Sequence, residues 1–203
     1  MEALNHEAIF LTLPEFLVLS AGSGLSGIRG LFPEHDAGLG EREVCEALFS
    51  LGESGRLTLE DEEDRTVPVS HMTPETAEYF KVIRNARHEA VLMRLRDGRA
   101  LRYGYLTENA AVETEYDPAE ELIRLRLFAP EEWVRTLAEE GFVPDEGYGF
   151  ERIDRPEGEK YQIRWGRAGE GDPLELVFIT PLFDTRRMTY CSSSLAEMLT
   201  GMR

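Results

Sequence analysis

The chain has 203 residues, enough to bury a sizeable core in one large domain or two small, closely packed ones. Apolar residues make up 42% and charged residues 30%, as in ordinary globular proteins, but 22 basic against 39 acidic side chains leave a net charge of −17. Phosphate backbones and anionic membrane surfaces repel such a chain unless it has a strong local basic patch, and no basic run exceeds two residues. We therefore expect no nucleic-acid binding.

The N-terminal region and the hydropathy pattern predict a cytoplasmic protein. The chain carries Glu2 and Glu7 and has no Lys or Arg before Arg29, whereas a secretory signal peptide begins with positive charge and continues with an uninterrupted apolar segment. No window of about 18 apolar residues is present, so we expect no insertion into a membrane.

No local motif predicts a metal site, a cofactor site or a catalytic group. Cys45 and Cys191 lie far apart without a CxxC partner, and the helical spacing of Cys45 beside Leu48 and Phe49 predicts a small buried hydrophobe. No HExxH or G-x-S-x-G motif occurs, and choosing a catalytic pair among 39 carboxylates would be arbitrary. The isolated histidines are His6, His35, His71 and His88. We expect no enzyme activity, no metal and no cofactor.

The chain opens with a short apolar run and a helix over residues 7–22. Pro14 falls in the first turn, Glu15 favours the helix dipole, and the helix ends at glycines. Gly22–Gly27 (GSGLSG) then forms a literal G-x-G-x-x-G, which marks a dinucleotide site only where a strand precedes it and a helix begins within it. Further glycines and Pro33 follow, so a connecting loop is favoured over a nucleotide site.

An insert of two helices and a hairpin comes next. Apolar spacing predicts a helix over Glu41–Leu51, and alternation predicts a strand over Arg56–Glu60. The acidic run Glu60–Arg65 is typical of a solvated loop tip, before Thr66–Val69 returns as the second arm. Residues 73–86 form a second helix with a broad apolar stripe. A helix followed by a β-wing resembles a winged helix, but an acidic wing repels DNA.

The segment His88–Tyr116 alternates apolar and polar residues in three consecutive runs. Asp97-Gly98 separates the first two runs and is typical of a tight hairpin turn. The segment therefore predicts an antiparallel meander with one buried face. Asp117-Pro118 interrupts it, Glu121–Phe128 alternates as a further strand, and a helix from Pro130 ends at Gly141.

Glu159–Tyr190 repeats this plan with three strands, and Ser192–Ser194 precede a closing helix. Both halves of the chain begin with a strand, a Pro-Glu helix start and a glycine. We therefore predict an α+β fold: one antiparallel sheet from two pseudo-twofold related halves, with helices packed on the sheet. The halves are residues 1–116 and 117–203, joined in one compact domain.

Strand parity indicates where a partner would bind. Arg102, Arg164, Val177 and Ile179 lie on the face away from the main apolar set, so we predict them as partner-binding residues. Apolar residues on both faces of the strand that contains Val177 indicate that helices or a partner cover it. An uncovered sheet edge would also allow two copies to pair as a homodimer.

Four segments of the chain resemble one known family. They are FLTLPEF, GIRGLF, EREVCEALFSLGESGRLTL and EAVLMRLRDGRALRYGYL, and together they resemble the EspG-like and EsaE-like chaperones of type VII secretion. That family has an R-G-L segment, a helix ending in L-x-x-L and a β-meander within two pseudo-symmetric halves; Arg29-Gly30-Leu31 and Leu48-Phe49-Ser50-Leu51 match. The resemblance covers most of the chain, which is shorter and has no clear counterpart of the family's helical bundle.

The resemblance implies a cytosolic, non-enzymatic chaperone or adaptor without catalytic residues. Its partner would be a helical-hairpin substrate dimer, which it keeps soluble and directs to the secretion ATPase. An acidic chaperone would meet an Arg- or Lys-bearing helix tip, with charge mainly setting the association rate and selectivity. The alternative interpretation is a small-molecule- or nucleotide-binding α/β protein, or an enzyme, that uses the Gly22–Gly27 loop.

Overall fold

The computed structural model describes residues 8–25, 38–60, 69–94, 100–139, 148–154, 160–166, 173, 175–180, 182–189 and 191. The helices in this part of the chain are α1 (Leu13–Gly22), α2 (Glu41–Glu53), α3 (Pro74–Asn85) and α4 (Pro130–Glu139). The strands are β1 (Ile9–Thr12), β2 (Leu57–Glu60), β3 (Val69–Met72), β4 (His88–Arg94), β5 (Ala100–Leu106), β6 (Ala111–Asp117), β7 (Leu122–Phe128), β8 (Tyr148–Asp154), β9 (Lys160–Gly166), β10 (Glu175–Ile179) and β11 (Thr185–Thr189).

Nine strands form one antiparallel sheet in the order β1-β7-β6-β5-β4-β8-β9-β10-β11, and β2 pairs with β3 in a separate hairpin. Two four-stranded meanders, β4–β7 and β8–β11, therefore meet where β4 pairs with β8. This arrangement confirms the α+β class and the antiparallel sheet. The strand β7, which the predicted division assigns to the second half, lies between β1 and β6. The boundary between residues 116 and 117 stays a prediction.

The two crossovers of the chain explain why helices lie on both faces of the sheet. Because neighbouring strands are antiparallel, β1 is parallel to β4, and β7 is parallel to β8, four places along the sheet in each case. Such connections are right-handed in almost all proteins. The connections from β1 to β4 and from β7 to β8 both move across the sheet in the same direction. Because β1 and β7 run in opposite directions, two connections of the same hand must lie on opposite faces. Contacts place α1 and α3 on one face and α4 on the other.

The apolar core lies between α1, α3 and the sheet face that they cover, called the α1/α3 face below. Ile123 and Leu125 on β7 are fully buried on this face and alternate with less buried residues that point to the opposite, α4 face. Phe16 of α1 and Phe80 of α3 meet over the sheet, with ring centroids 5.7 Å apart. Val112 on the neighbouring strand β6 is also fully buried and belongs to the same cluster.

A capping box starts α1 where the sequence predicts a helix. The Thr12 backbone N–H donates to Glu15 Oε2 at 2.7 Å, and the Glu15 N–H donates to Thr12 Oγ1 at 3.4 Å, which satisfies two donors at the helix start. The Ser50 hydroxyl of α2 donates to Glu15 Oε1 at 2.6 Å. One carboxylate therefore caps α1 and connects it to α2.

The α4 face is organised by Trp133, which is 2% exposed. Its indole ring lies directly over Gly104 on β5, where a Cβ atom would overlap the ring. Pro130 starts α4, and Glu131 and Glu132 follow in its first turn, where acidic groups favour the helix dipole. Glycine on β5 thus allows the helix to approach the sheet closely.

Some expectations from the sequence are wrong, and others concern residues outside the described ranges; the second hairpin arm, predicted at Thr66–Val69, is observed at Val69–Met72. Cys45 is exposed, not buried, because α2 packs mainly against α1 and leaves this side of the helix open. The Asp97-Gly98 turn and the closing helix after Ser192–Ser194 lie outside the described residues. Among the helices that are described, none is long and apolar enough to cross a membrane.

The Gly104→Ala substitution tests the contact between α4 and the sheet. The added methyl group overlaps the Trp133 ring, so we expect the free energy of unfolding to fall by about 1–3 kcal/mol in urea titrations. Gly38→Ala is the control, since its Cβ meets nothing within 4 Å, and should leave stability nearly unchanged. Equal effects of the two substitutions would contradict this account.

Candidate partner-binding surface

Three of the four predicted partner-binding residues lie together. Val177 on β10 pairs with Arg164 on β9, and Ile179 pairs with Gln162, so Arg164, Val177 and Ile179 share the α1/α3 face of the second meander. Val177 and Ile179 are partly buried there and Arg164 is exposed. The Arg164 guanidinium donates to Gln162 Oε1 at 2.9 Å, which leaves the two apolar side chains beside a polar pair.

Arg102 lies elsewhere, on the α4 face. Arg102 on β5 pairs with Leu92 on β4, and the pairing continues through β8 to Ile163 on β9, so these residues share one face. Arg164 follows Ile163 in the chain and therefore points to the opposite face. The buried apolar set changes face between the two meanders: Val112 is buried on the α1/α3 face, whereas Ile163 is buried on the α4 face. Parity is therefore predicted correctly within each meander, but it does not place all four residues on one surface.

Arg102 belongs to a buried charge network on β5, β6 and β7. Its guanidinium lies 3.7 Å from Glu113 Oε2, and Arg126 Nη2 lies 2.6 Å from Glu113 Oε1. The indole N–H of Trp133 donates to Glu113 Oε2 at 3.0 Å. Glu113 is only 1% exposed, so its charge requires these partners, and Glu115 adds ion pairs with Arg102 and with the next arginine on β7, Arg124. The network stabilises the sheet and α4, and Arg102 contributes to it.

The β10–β11 hairpin carries the most exposed large apolar side chains in the described chain. Leu182 is 83% exposed and Phe183 is 84% exposed. Phe183 has a φ of 64°, a left-handed conformation that a bulky residue rarely adopts. The tip is held by hydrogen bonds from the Thr180 N–H to the Asp184 carbonyl at 3.0 Å and from the Phe183 N–H to the Thr180 carbonyl at 2.9 Å. Two apolar residues at a turn, where Gly or Asn is usual, are the sequence signal for this feature.

The strand β11 is an edge of the sheet. All five of its residues are exposed, and within the described residues no strand lies beyond it. Arg187 lies 3.6 Å from Glu175 on β10. If two copies paired all five residues antiparallel, Arg187 would lie opposite Arg187 of the other copy, and like charges at that position are destabilising. This register is therefore disfavoured, and the homodimer stays a prediction.

The described part of the Gly22–Gly27 loop is the C-terminal end of α1. The Ser23 N–H donates to the Leu19 carbonyl at 3.0 Å, the Leu25 N–H donates to the Ser20 carbonyl at 3.0 Å, and Gly24 has a φ of 71°. A pyrophosphate requires the positive N-terminal end of a helix, whereas this end carries partial negative charge. The loop therefore lacks the geometry of a dinucleotide site in its described part.

Among the described titratable groups, burial changes the pKa of three tyrosines. Burial raises the pKa of Tyr79, Tyr103 and Tyr105, because the charged phenolate is disfavoured away from water. Within the described ranges, no group of three or more His, Cys, Asp or Glu side chains is placed to hold a metal ion. No protein-family model matches the chain, and no curated protein matches it. The type VII secretion family therefore stays a prediction from the residues that resemble it.

Removing Glu113 tests whether Arg102 and Arg126 are structural. In Glu113→Ala two largely buried arginines lose a carboxylate and the Trp133 indole loses its acceptor, so we expect the free energy of unfolding to fall by about 3–5 kcal/mol. The matched control is Glu108→Ala, which removes an exposed pair with Arg87 and should cost at most about 1 kcal/mol. Chemical denaturation measures both, and similar losses in the two variants would show that the network is not structural.

Proposed function

We propose that this chain is a non-enzymatic, cytosolic chaperone or adaptor that binds a helical protein substrate of type VII secretion. The observation that carries the proposal is the fixed, exposed apolar tip formed by Leu182 and Phe183. The partly buried Val177 and Ile179 on β10 precede this tip along the chain. These four residues of β10 and of its turn to β11 are the candidate apolar binding residues, called the tip surface below.

The backbone of Phe183 supports a binding role for the tip surface. A left-handed conformation costs an L-amino acid about 1–2 kcal/mol, and an 84% exposed ring returns almost no burial within this chain. Aromatic anchors that are already held in place bind partners with little loss of conformational entropy. A partner that buries the ring explains both the strain and the exposure.

Charge supports a partner with basic regions. The net charge of −17 attracts cationic surfaces at long range, which raises the association rate more than the affinity. Arg186 and Arg187 form a local basic segment on β11 directly after the tip. A helical substrate with an Arg- or Lys-bearing tip and an acidic flank matches both features.

The direct test uses the purified chain and a helical-hairpin protein encoded beside its gene. We expect light scattering after size-exclusion chromatography to show a stable complex, and we expect no thermal shift of the chain alone with ATP or NAD. The complex supports the adaptor function. A nucleotide-dependent thermal shift without a protein complex would instead support the alternative function, a nucleotide-binding protein that uses the Gly22–Gly27 loop.

The Phe183→Gly variant separates binding from folding. Glycine relieves the left-handed strain, so the free energy of unfolding should stay unchanged or rise by about 1 kcal/mol, while the affinity for the partner falls more than about tenfold. Phe49→Ala on α2 is the control, because that ring is also 65% exposed but lies far from β11 in the sequence and on another element. Full binding by Phe183→Gly would rule out the tip as the anchor.

A further inference from the structure

A cavity of about 610 Å³ lies between the C-terminal end of α1, the β2–β3 hairpin and α3. Leu19, Leu57 and Phe80 are buried residues of its lining and supply an apolar floor. Lys81 and Arg84 also line it and are exposed, so the apolar floor opens toward positive charge. Its volume is in the range of small-molecule sites, roughly 300–1,000 Å³.

The two cations are unusual because the chain has an excess of acids. With 39 acidic and 22 basic side chains, carboxylates are available to pair with most cations. Within the described residues, however, neither Lys81 nor Arg84 pairs with a carboxylate, and Arg84 Nη1 donates only to the Ser23 carbonyl, at 3.5 Å. They lie three residues apart on α3, which places them on the same side of the helix. Glu78 is the acidic residue of the lining.

We propose that this cavity binds a small aliphatic carboxylate. The alkyl chain lies against Leu19, Leu57 and Phe80, and the carboxylate lies between Lys81 and Arg84. Apolar contact provides most of the affinity, while the charge-assisted hydrogen bonds to the two cations select an anionic head group. The net charge of −17 opposes non-specific adsorption of anions, so binding requires this local arrangement. The site is independent of the tip surface and of the proposed adaptor function.

Isothermal titration calorimetry with a series of alkyl probes tests the proposal. Octanoate, decanoate and dodecanoate are titrated below their micelle concentrations, beside octylammonium and octyl glucoside, which carry a cationic and a neutral head. We expect the affinity to rise about fourfold for each buried methylene and the octylammonium ion to bind more weakly than octanoate. Equal affinity for all three head groups would mean detergent-like adsorption only and would overturn the proposal.

Variants locate the binding site. The double variant Lys81→Gln, Arg84→Gln should weaken decanoate binding about tenfold or more. The control Arg42→Gln, Arg135→Gln removes two exposed positive charges elsewhere and gives the same net charge, −17 − 2 = −19, yet should bind decanoate as the unaltered chain does. Equal loss in the two double variants would show a general charge effect and contradict a local site.

A third variant tests the apolar floor separately from the charges. Ala77→Trp places a large ring in the cavity and should weaken binding of every probe, including octyl glucoside, while circular dichroism verifies that the chain stays folded. Chemical-shift changes on decanoate addition should be confined to α1, α3 and the β2–β3 hairpin. Unchanged decanoate affinity in folded Ala77→Trp, or shifts centred on another surface, would overturn the assignment.

Discussion

The close contact of Trp133 with Gly104 is the interaction on which the arrangement of the sheet depends. The connection after β7 must reach β8, which lies beside β4. The strands β7 and β8 are four positions apart in the sheet, about 19 Å at normal strand spacing. The ten residues of α4 span about 15 Å of that distance. Trp133 fixes the helix above β5, along the path, and its N–H bonds Glu113 instead of remaining buried without a partner. This contact and this hydrogen bond hold the crossover against the sheet, where α4 also packs against β6 and β7.

The crossovers make the two meanders different. Helices α1 and α3 cover one face of the first meander and α4 covers the other, so its strands are packed on both sides. In the second meander Val177 and Ile179 remain partly exposed on the α1/α3 face, and β11 ends the sheet. Within the described residues, a meander packed on both faces therefore continues into a meander with two partly exposed apolar side chains and an exposed edge strand. Binding surfaces are commonly built this way, since a rigid scaffold lowers the entropy lost on association.

Local patterns in the sequence predict most helices and strands but not how the two meanders pair with each other. Helical and alternating periodicities place α1–α4, the strands of the first meander and β9–β11 close to their observed bounds. No strand is predicted at Tyr148–Asp154, because Gly149 and the charged residues after Phe150 weaken the apolar alternation; this segment becomes β8 through pairing with β4 and β9. Since β8 joins the meanders, the sequence alone does not predict the change of buried face between them. Strand parity therefore groups Arg102 with Arg164, although the two lie on opposite faces. The exposed tip at Phe183 depends on a backbone angle that no periodicity encodes.

The distribution of positive charge distinguishes residues that hold the fold from residues that are available for binding. In a chain with net charge −17, an arginine placed near the sheet readily finds an acid, and Arg102, Arg124 and Arg126 pair with glutamates on β6. These pairs are partly or fully shielded from water, so their loss would leave buried charge uncompensated. Lys81 and Arg84 lie instead beside an apolar cavity and have no carboxylate partner among the described residues. A bound anion beside the cavity would therefore supply the counter-charge that the described residues do not supply.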